Sequence, residues 1–282
     1  MKLSRNDADI FVPDGKEQES ALERTTHLCV GAHQDDQEFM AYHGIVECFG
    51  KTDAWFGGVV VTNGAGSARA GLYADYSDDD MKEIRRHEQR KAAVIGEYSV
   101  QIQLNHPSSA VKDANEEDVI ADLTEILMAM RPKVVYTHNP ADKHDTHVAV
   151  ALRTIAAIRR MPAEARPELV LGCEIWRSLD WLCDADKQVM PVDTHPNLAA
   201  ALSGIFDSQI VGGKRYDAAV MGRRMANATF FESHQVDTYE ALAWGMDLTE
   251  LANNPELDVT EFTLKYIRRF EGEVSERIGN LA

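Results

Sequence analysis

The chain is predicted to be an α/β protein: a Rossmann-like, mostly parallel sheet flanked by helices, with a helical C-terminal extension. Three observations point there. Short apolar runs alternate with amphipathic segments of helical period, the pattern of a parallel sheet covered on both faces. The 282 residues, 44% hydrophobic, can bury a large core as one domain or as a domain with an appended piece. Two segments carrying histidine and aspartate, His33 to Gln37 and His144 to His147, each follow an apolar run. In open α/β sheets ligands collect outside the carboxyl ends of the strands.

The elements follow in order. Residues 1–25 form a polar N-terminal segment, and 26–210 the core. Thr26 to Ala32 reads as the first buried strand, and a helix is expected from Glu38 to about Phe49. Ala54 to Thr62 is a second strand, ending in Asn63-Gly64-Ala65-Gly66, whose glycines suit a tight loop or a turn close to a ligand. Ser77-Asp78-Asp79-Asp80 caps a helix from Met81 to Gly96, because acidic groups favour a helix N-terminus and glycine a C-terminal stop. A third strand is expected at Gln101 to Leu104, a helix at Glu116 to Met130, and a fourth strand at Lys133 to Thr137. An apolar helix from His147 to Arg160 and a strand from Glu168 to Ile175 complete the alternation. Beyond Trp176 the pattern turns helical, with Pro196 to Ser208, Asp217 to Phe230 and Thr260 to Phe270 the clearest segments; residues 211–282 are read as a helical extension packed on the core. No internal repeat or low-complexity linker is present.

Composition excludes several classes. The 29 Lys and Arg against 46 Asp and Glu give a formal charge of -17, which repels phosphate backbones and anionic membrane surfaces, so no nucleic-acid partner is expected. No apolar stretch approaches the roughly 18 residues of a membrane span, and Met1 to Ser20 is too polar for a secretory leader, which makes the cytoplasm the expected compartment. Cys29, Cys48, Cys173 and Cys183 lie in or beside apolar segments without a C-x-x-C pair and read as small buried hydrophobes. A receiver-type signalling domain also places an acidic pair after its first strand. It is roughly half this length and needs an aspartate ending its third strand, where Leu104-Asn105-His106 stands instead.

The chemistry is concentrated in two places. His33 and Asp36, three residues apart after a strand, can share one divalent ion, and His144-Asp145-Thr146-His147 offers the third ligand. Taken singly, His33 reads more often as a satisfied structural histidine, and Asp35-Asp36 as a helix cap. Arg85 and Glu88 have the spacing of an ordinary surface pair. His43, His87, His106, His195 and His234 are expected to be structural or solvent-facing, His138 to border the pocket, and Trp176 and Trp181 to pack in the core.

Together the two segments resemble the PIG-L or LmbE-like zinc deacetylases, which remove the acetyl group from N-acetylglucosaminyl compounds. The resemblance covers roughly Thr26 to Gln209. The family's A-H-P-D-D-E reads Ala32-His33-Gln34-Asp35-Asp36-Gln37, and its later H-P-D-H reads His144-Asp145-Thr146-His147. Thr62-Asn63-Gly64 stands where the family often has T-D-G, Arg85-x-x-Glu88 follows on the next helix, and Asp207-Ser208-Gln209 is similar to a late H-x-S-Q with Phe206 in place of the histidine.

The resemblance implies that His33, Asp36 and His147 hold zinc, that Asp35 is the general base, and that His144 stabilises the reacting carbonyl. Asn63 and Arg85 are the implied substrate contacts. Zinc in hydrolases takes three N/O ligands and keeps one position open, which suits these residue types. Gln34 for proline, Gln37 for glutamate and Thr146 for the carboxylate before the last histidine are departures in supporting residues. Asp145 or Asp142 is the expected substitute partner for His144. The implied function is metal-dependent removal of an N-acetyl group from an amino-sugar derivative, releasing acetate and a free amine. The alternatives are a zinc amidohydrolase acting on another N-acylated small molecule and a sugar-derivative binding protein without catalysis. Arg215, Arg223 and Arg224 are the cations expected to meet any anionic substituent. Several relatives assemble into rings or stacked trimers, so a homo-oligomer stays open.

Overall fold

The computed structural model describes residues 1–282. Eight strands form one sheet: β1 (Asp9–Phe11), β2 (His27–Gly31), β3 (Phe56–Thr62), β4 (Val100–His106), β5 (Val134–His138), β6 (Leu169–Cys173), β7 (Lys187–Pro191) and β8 (Leu242–Asp247). Their spatial order is β1-β4-β3-β2-β5-β6-β8-β7. The central five, β4 to β6, are parallel, while β1 at one edge and β8 and β7 at the other run antiparallel to their neighbours. The direction of winding therefore reverses between β2 and β5. In a doubly wound sheet that crevice is where ligands bind.

The helices are α1 (Gln18–Glu23), α2 (Asp36–Met40), α3 (Tyr42–Cys48), α4 (Asp78–Ile95), α5 (Ser108–Lys112), α6 (Asp118–Met130), α7 (Asp145–Arg160), α8 (Pro196–Gly204), α9 (Asp207–Ile210), α10 (Tyr216–Phe230), α11 (Thr249–Asn253) and α12 (Val259–Leu281). They cover both faces of the sheet and divide the interior into two apolar clusters. Successive side chains of β2 alternate between them: Leu28 and Val30 join one, Cys29 the other. All seven residues of β3 are buried, as its unbroken apolar run requires of a central parallel strand. The four cysteines are free thiols.

Every expected core strand is present within a few residues of its expected bounds. The expected helix from Glu38 to Phe49 is instead two, α2 and α3, broken at Ala41. The cause lies far away in sequence. Arg224 on α10 donates to the Glu38 and Phe39 carbonyls at 2.7 and 3.2 Å, which interrupts the helical ladder there. Ser77 forms the expected capping box with Asp80. The C-terminal helices are present, α12 running to Leu281, and among them lies an unforeseen strand: β8 pairs with β6 and β7. Gly245 and the aspartate ending Leu242-Ala243-Trp244-Gly245-Met246-Asp247 obscured its β pattern. No helix is long and apolar enough to cross a membrane.

Candidate metal and catalytic site

After β2 the chain turns through His33 to Asp36 directly into α2. Asp35 occupies a left-handed backbone conformation, φ +98°, which costs a non-glycine residue on the order of 1–3 kcal/mol. Its amide N–H is held by Gln89 Oε1 at 3.1 Å. The turn is closed by the His33 amide donating to Asp36 Oδ2 at 2.6 Å. Gly64, at φ +72°, completes the neighbouring loop, since a Cβ there would come within 2.6 Å of Gln34 Oε1.

The turn and the start of α7 bring three potential ligands together. His33 Nδ1 and His147 Nε2 face each other at 3.3 Å. Asp36 lies against both, Oδ2 at 3.4 Å from His33 Nδ1 and Oδ1 at 3.6 Å from His147 Nε2. Ligand atoms placed about 2.1 Å from a tetrahedral ion sit roughly 3.4 Å apart. The spacing of this triangle therefore fits one divalent ion, and two histidines with one carboxylate are a donor set suited to zinc. Burial would push the Asp36 carboxyl up, but His147 and His138 beside it hold it well below its ordinary value, so a carboxylate faces the site. Burial also lowers the His33 pKa, favouring the neutral imidazole that ligation needs.

Outer partners orient the ligands. Asp142 Oδ2 lies 3.0 Å from His147 Nδ1. Burial pushes the Asp142 pKa up, but the hydrogen bond from His147, the neighbouring imidazoles of His147 and His138 and the Lys143 amide together bring it below its ordinary value, so it accepts the Nδ1 proton and leaves Nε2 free toward the triangle. Asp142 thus serves His147, where the sequence reading offered it or Asp145 to His144; no hydrogen bond joins either of them to the His144 ring. His138, expected to border the pocket, is instead fully buried outside its lining and stacks on His147 with centroids 3.9 Å apart. Its Nε2 lies 3.1 Å from Asp36 Oδ2 and 2.9 Å from the Ala32 amide. One tautomer serves the carboxylate and the other the amide.

Asp35 is buried against Arg85, Oδ2 to Nη2 at 3.1 Å. Burial raises its pKa well above the usual carboxylate range despite Arg85, with Asp36, Glu38 and Glu88 adding to the rise. A carboxyl raised in this way holds a proton more readily than an exposed one, as a group that accepts and returns a proton must. The Arg85 guanidinium also donates to the Gln34 carbonyl and to Ser67 Oγ. Arg85 lines the cavity, but its bonds hold the Asp35 turn in place. The i,i+3 spacing of Arg85 and Glu88 does not reflect a surface pair, because both are buried. Glu88 accepts from the Ser208 amide and hydroxyl at 2.7 and 2.6 Å. This bond draws the Asp207-Ser208-Gln209 segment to the site, with Gln209 lining the cavity and Phe206 in the core.

The cavity has a volume of about 340 Å³ and lies at the C-terminal ends of the parallel strands. His33, Asp35, Asp36, His144 and His147 line it, together with Trp176, Tyr216 and Lys214. His144 approaches His33 edge-on, centroids 5.2 Å apart, and stacks at 6.1 Å on Trp176, which the sequence reading assigned to the core. Burial first, then neighbouring His147 and His33, push the His144 pKa down to about 4. At neutral pH it is a neutral hydrogen-bond donor and not an imidazolium. Asn63 does not line this cavity; it accepts from the Ala65 amide at 3.1 Å and borders a separate polar cleft with Gln34 and Thr62. Gln37, fully buried, has no hydrogen-bond partner for either amide atom. Arg215 pairs with Asp217, Arg223 donates to the Ile175 and Arg177 carbonyls, and Arg224 is consumed by α2, so none of the three lines the cavity.

The family model described as PIG-L, GlcNAc-PI de-N-acetylase, matches residues 28–158. That span contains both histidine-bearing segments. No curated protein matches the chain in sequence. Among solved structures, the N,N'-diacetylchitobiose deacetylase of Pyrococcus horikoshii superposes with a TM-score of 0.62 at 15% identity, over 86% of this chain and 91% of that one. A conserved protein of Thermus thermophilus gives 0.61 at 18% identity, over 78% and 93%. The 4-carboxy-2-hydroxymuconate hydratase of Pseudomonas putida gives 0.56 at 18% identity, over 78% and 95%. At these identities the likeness is one of fold, which this set shares between different reactions.

Proposed function

We propose that this chain, whose residues 28–158 match the PIG-L family model, is a zinc-dependent hydrolase. Its reaction would be removal of an N-acetyl group from an N-acetylglucosamine-type small molecule, releasing acetate and a free amine. The observation that carries the reading is the ligand triangle of His33, Asp36 and His147 with the buried carboxyl of Asp35 next to it. A deacetylase among the solved structures of like fold supports it. We place the catalytic residues within 26–210, while 1–25 and 211–282 contribute β1 and β8 to the same sheet.

Held by that triangle, a divalent ion would supply Lewis acidity to the acetyl carbonyl and to a water. Asp35 is the base in this reading: it removes the proton of the attacking water and delivers it to the departing nitrogen. Its raised pKa and its anchoring by Arg85 and Gln89 suit a group that must carry a proton without moving. His144 donates a hydrogen bond to the oxygen on which negative charge develops. Its neutral state means that it supplies a dipole, not a full charge, at the outset. Trp176 and Tyr216 supply aromatic lining that an apolar side of the sugar ring would meet.

Acetate release from a panel of N-acetylglucosamine derivatives tests the proposal, with zinc-loaded protein, a chelated control and Asp35→Asn side by side. Release that needs both zinc and Asp35 is the expected result. Release unaffected by Asp35→Asn would remove the base, and zinc binding without any release would move the reading to another N-acylated substrate or to binding alone.

A further inference from the structure

The cavity is electrostatically unlike the chain around it. Its five Asp, Glu, Lys and Arg side chains are Asp35, Asp36, Arg85, Lys112 and Lys214, in a protein of net charge -17. Asp35 is spent on Arg85, and Asp36 faces the two ligand histidines. The two lysines have no carboxylate within 4.0 Å. Lys112 ends α5, the short helix that follows β4, and lines the cavity. Lys214 stands with its ammonium 5.3 Å from the centroid of Trp176, the ring that stacks on His144. Nothing in the deacetylation step uses either ammonium. A cleft lined by one sign of free charge concentrates ligands of the opposite sign, and in an otherwise acidic protein it discriminates as well.

We infer that the substrate carries an anionic substituent, a phosphate or a carboxylate, on the amino sugar, and that Lys214 and Lys112 are the residues that select it. The inference rests on the deacetylase reading for the sugar and on the cavity's charge for the substituent. Lysine, a compact point charge on a flexible stem, tolerates either anion.

The test compares the zinc-loaded full chain on N-acetylglucosamine 1-phosphate, on N-acetylmuramic acid and on the neutral methyl N-acetylglucosaminide. Both acetate release and equilibrium binding by calorimetry are measured for wild type, Lys214→Gln, Lys112→Gln, the double variant and the remote control Lys91→Gln. We expect one of the anionic sugars to exceed the neutral one by roughly tenfold or more in kcat/KM and in affinity, as one charge-assisted contact would give. The ratio should shrink as salt rises and collapse in the double variant, while Lys91→Gln keeps it. The identity of the better anion distinguishes phosphate from carboxylate. A ratio near one in wild type overturns the inference. So does a ratio that survives the double variant, since the anion would then be held by the metal centre. If no sugar is deacetylated, the catalytic reading fails, and the binding ratios still decide the anion site.

Discussion

Replacing Asp142 with asparagine changes little in size and should do more damage to metal binding than deleting the side chain. Asp142 uses both oxygens: Oδ2 faces His147 Nδ1 at 3.0 Å, while Oδ1 accepts from the Lys143 amide at 2.5 Å and lies 3.4 Å from the His144 amide. In the asparagine variant the backbone amides still require an acceptor, so the side-chain oxygen stays with them and the NH₂ turns to His147. Two donors cannot face each other. The His147 proton must then leave Nδ1 for Nε2, the nitrogen that points at His33 Nδ1 and Asp36. Loss of an outer partner typically weakens metal binding by about 10–100-fold, roughly 1.4–2.8 kcal/mol. Asp142→Ala, which leaves the tautomer free, belongs near the lower end of that range, and Asp142→Asn at the upper end. Competition against a chelating fluorophore at fixed pH, with apo-protein melting as a check on folding, gives the ranking. Zinc affinity of Asp142→Asn within threefold of wild type, or below-alanine damage reversed in order, would refute the tautomer argument.

Other perturbations separate the remaining roles. Asp35→Asn should keep zinc affinity and lose at least about a hundredfold in kcat, the usual scale of a missing general base; unchanged turnover would reassign the base. Arg85→Met strands a buried carboxyl and should destabilise the fold by about 3–5 kcal/mol in urea unfolding; a loss below 1 kcal/mol would mean that Asp35 is not held as described. Because His144 is neutral above a pKa of about 4, His144→Gln should lower kcat but leave the shape of the pH profile between pH 6 and 8 unchanged; a limb lost in that variant would show an imidazolium at work. Glu38 is pushed up to about 7 by burial, against hydrogen bonds from Tyr98 and Gln89 that lower it. A carboxyl raised in the folded state contributes most stability below its unfolded pKa of 4.5, and that contribution is lost as pH rises to about 7. Glu38→Gln should therefore gain on wild type over this window, by up to about 3 kcal/mol; parallel stability curves for the two proteins would contradict the shift.

Local sequence determined the parallel core and the two places where chemistry gathers. The β-rich runs of β2 to β6 are buried on both faces, so their apolarity is continuous and readable; His33 and Asp36 closely follow the end of β2, and His147 stands in the first turn of the helix after β5. His33 with Asp36 is a local pair, and so is His147 with Asp142, although only the first was recognised. What only the tertiary structure decided depends on contacts distant in sequence. The reversal of winding between β2 and β5 brings His33 to within 3.3 Å of His147, 114 positions on. Arg85 reaches back 50 residues to Asp35, and Glu88 reaches forward 120 to Ser208, which removes both from the surface where their spacing had put them. Arg224, 186 residues beyond Glu38, breaks a helix whose own residues give no such signal. Lys214 and Trp176 gained a role only when the sheet order placed the ends of β4, β5 and β6 around one cavity. Periodicity records whether a residue is inside; which partner it meets there is set by strand order, and strand order is a property of the whole chain.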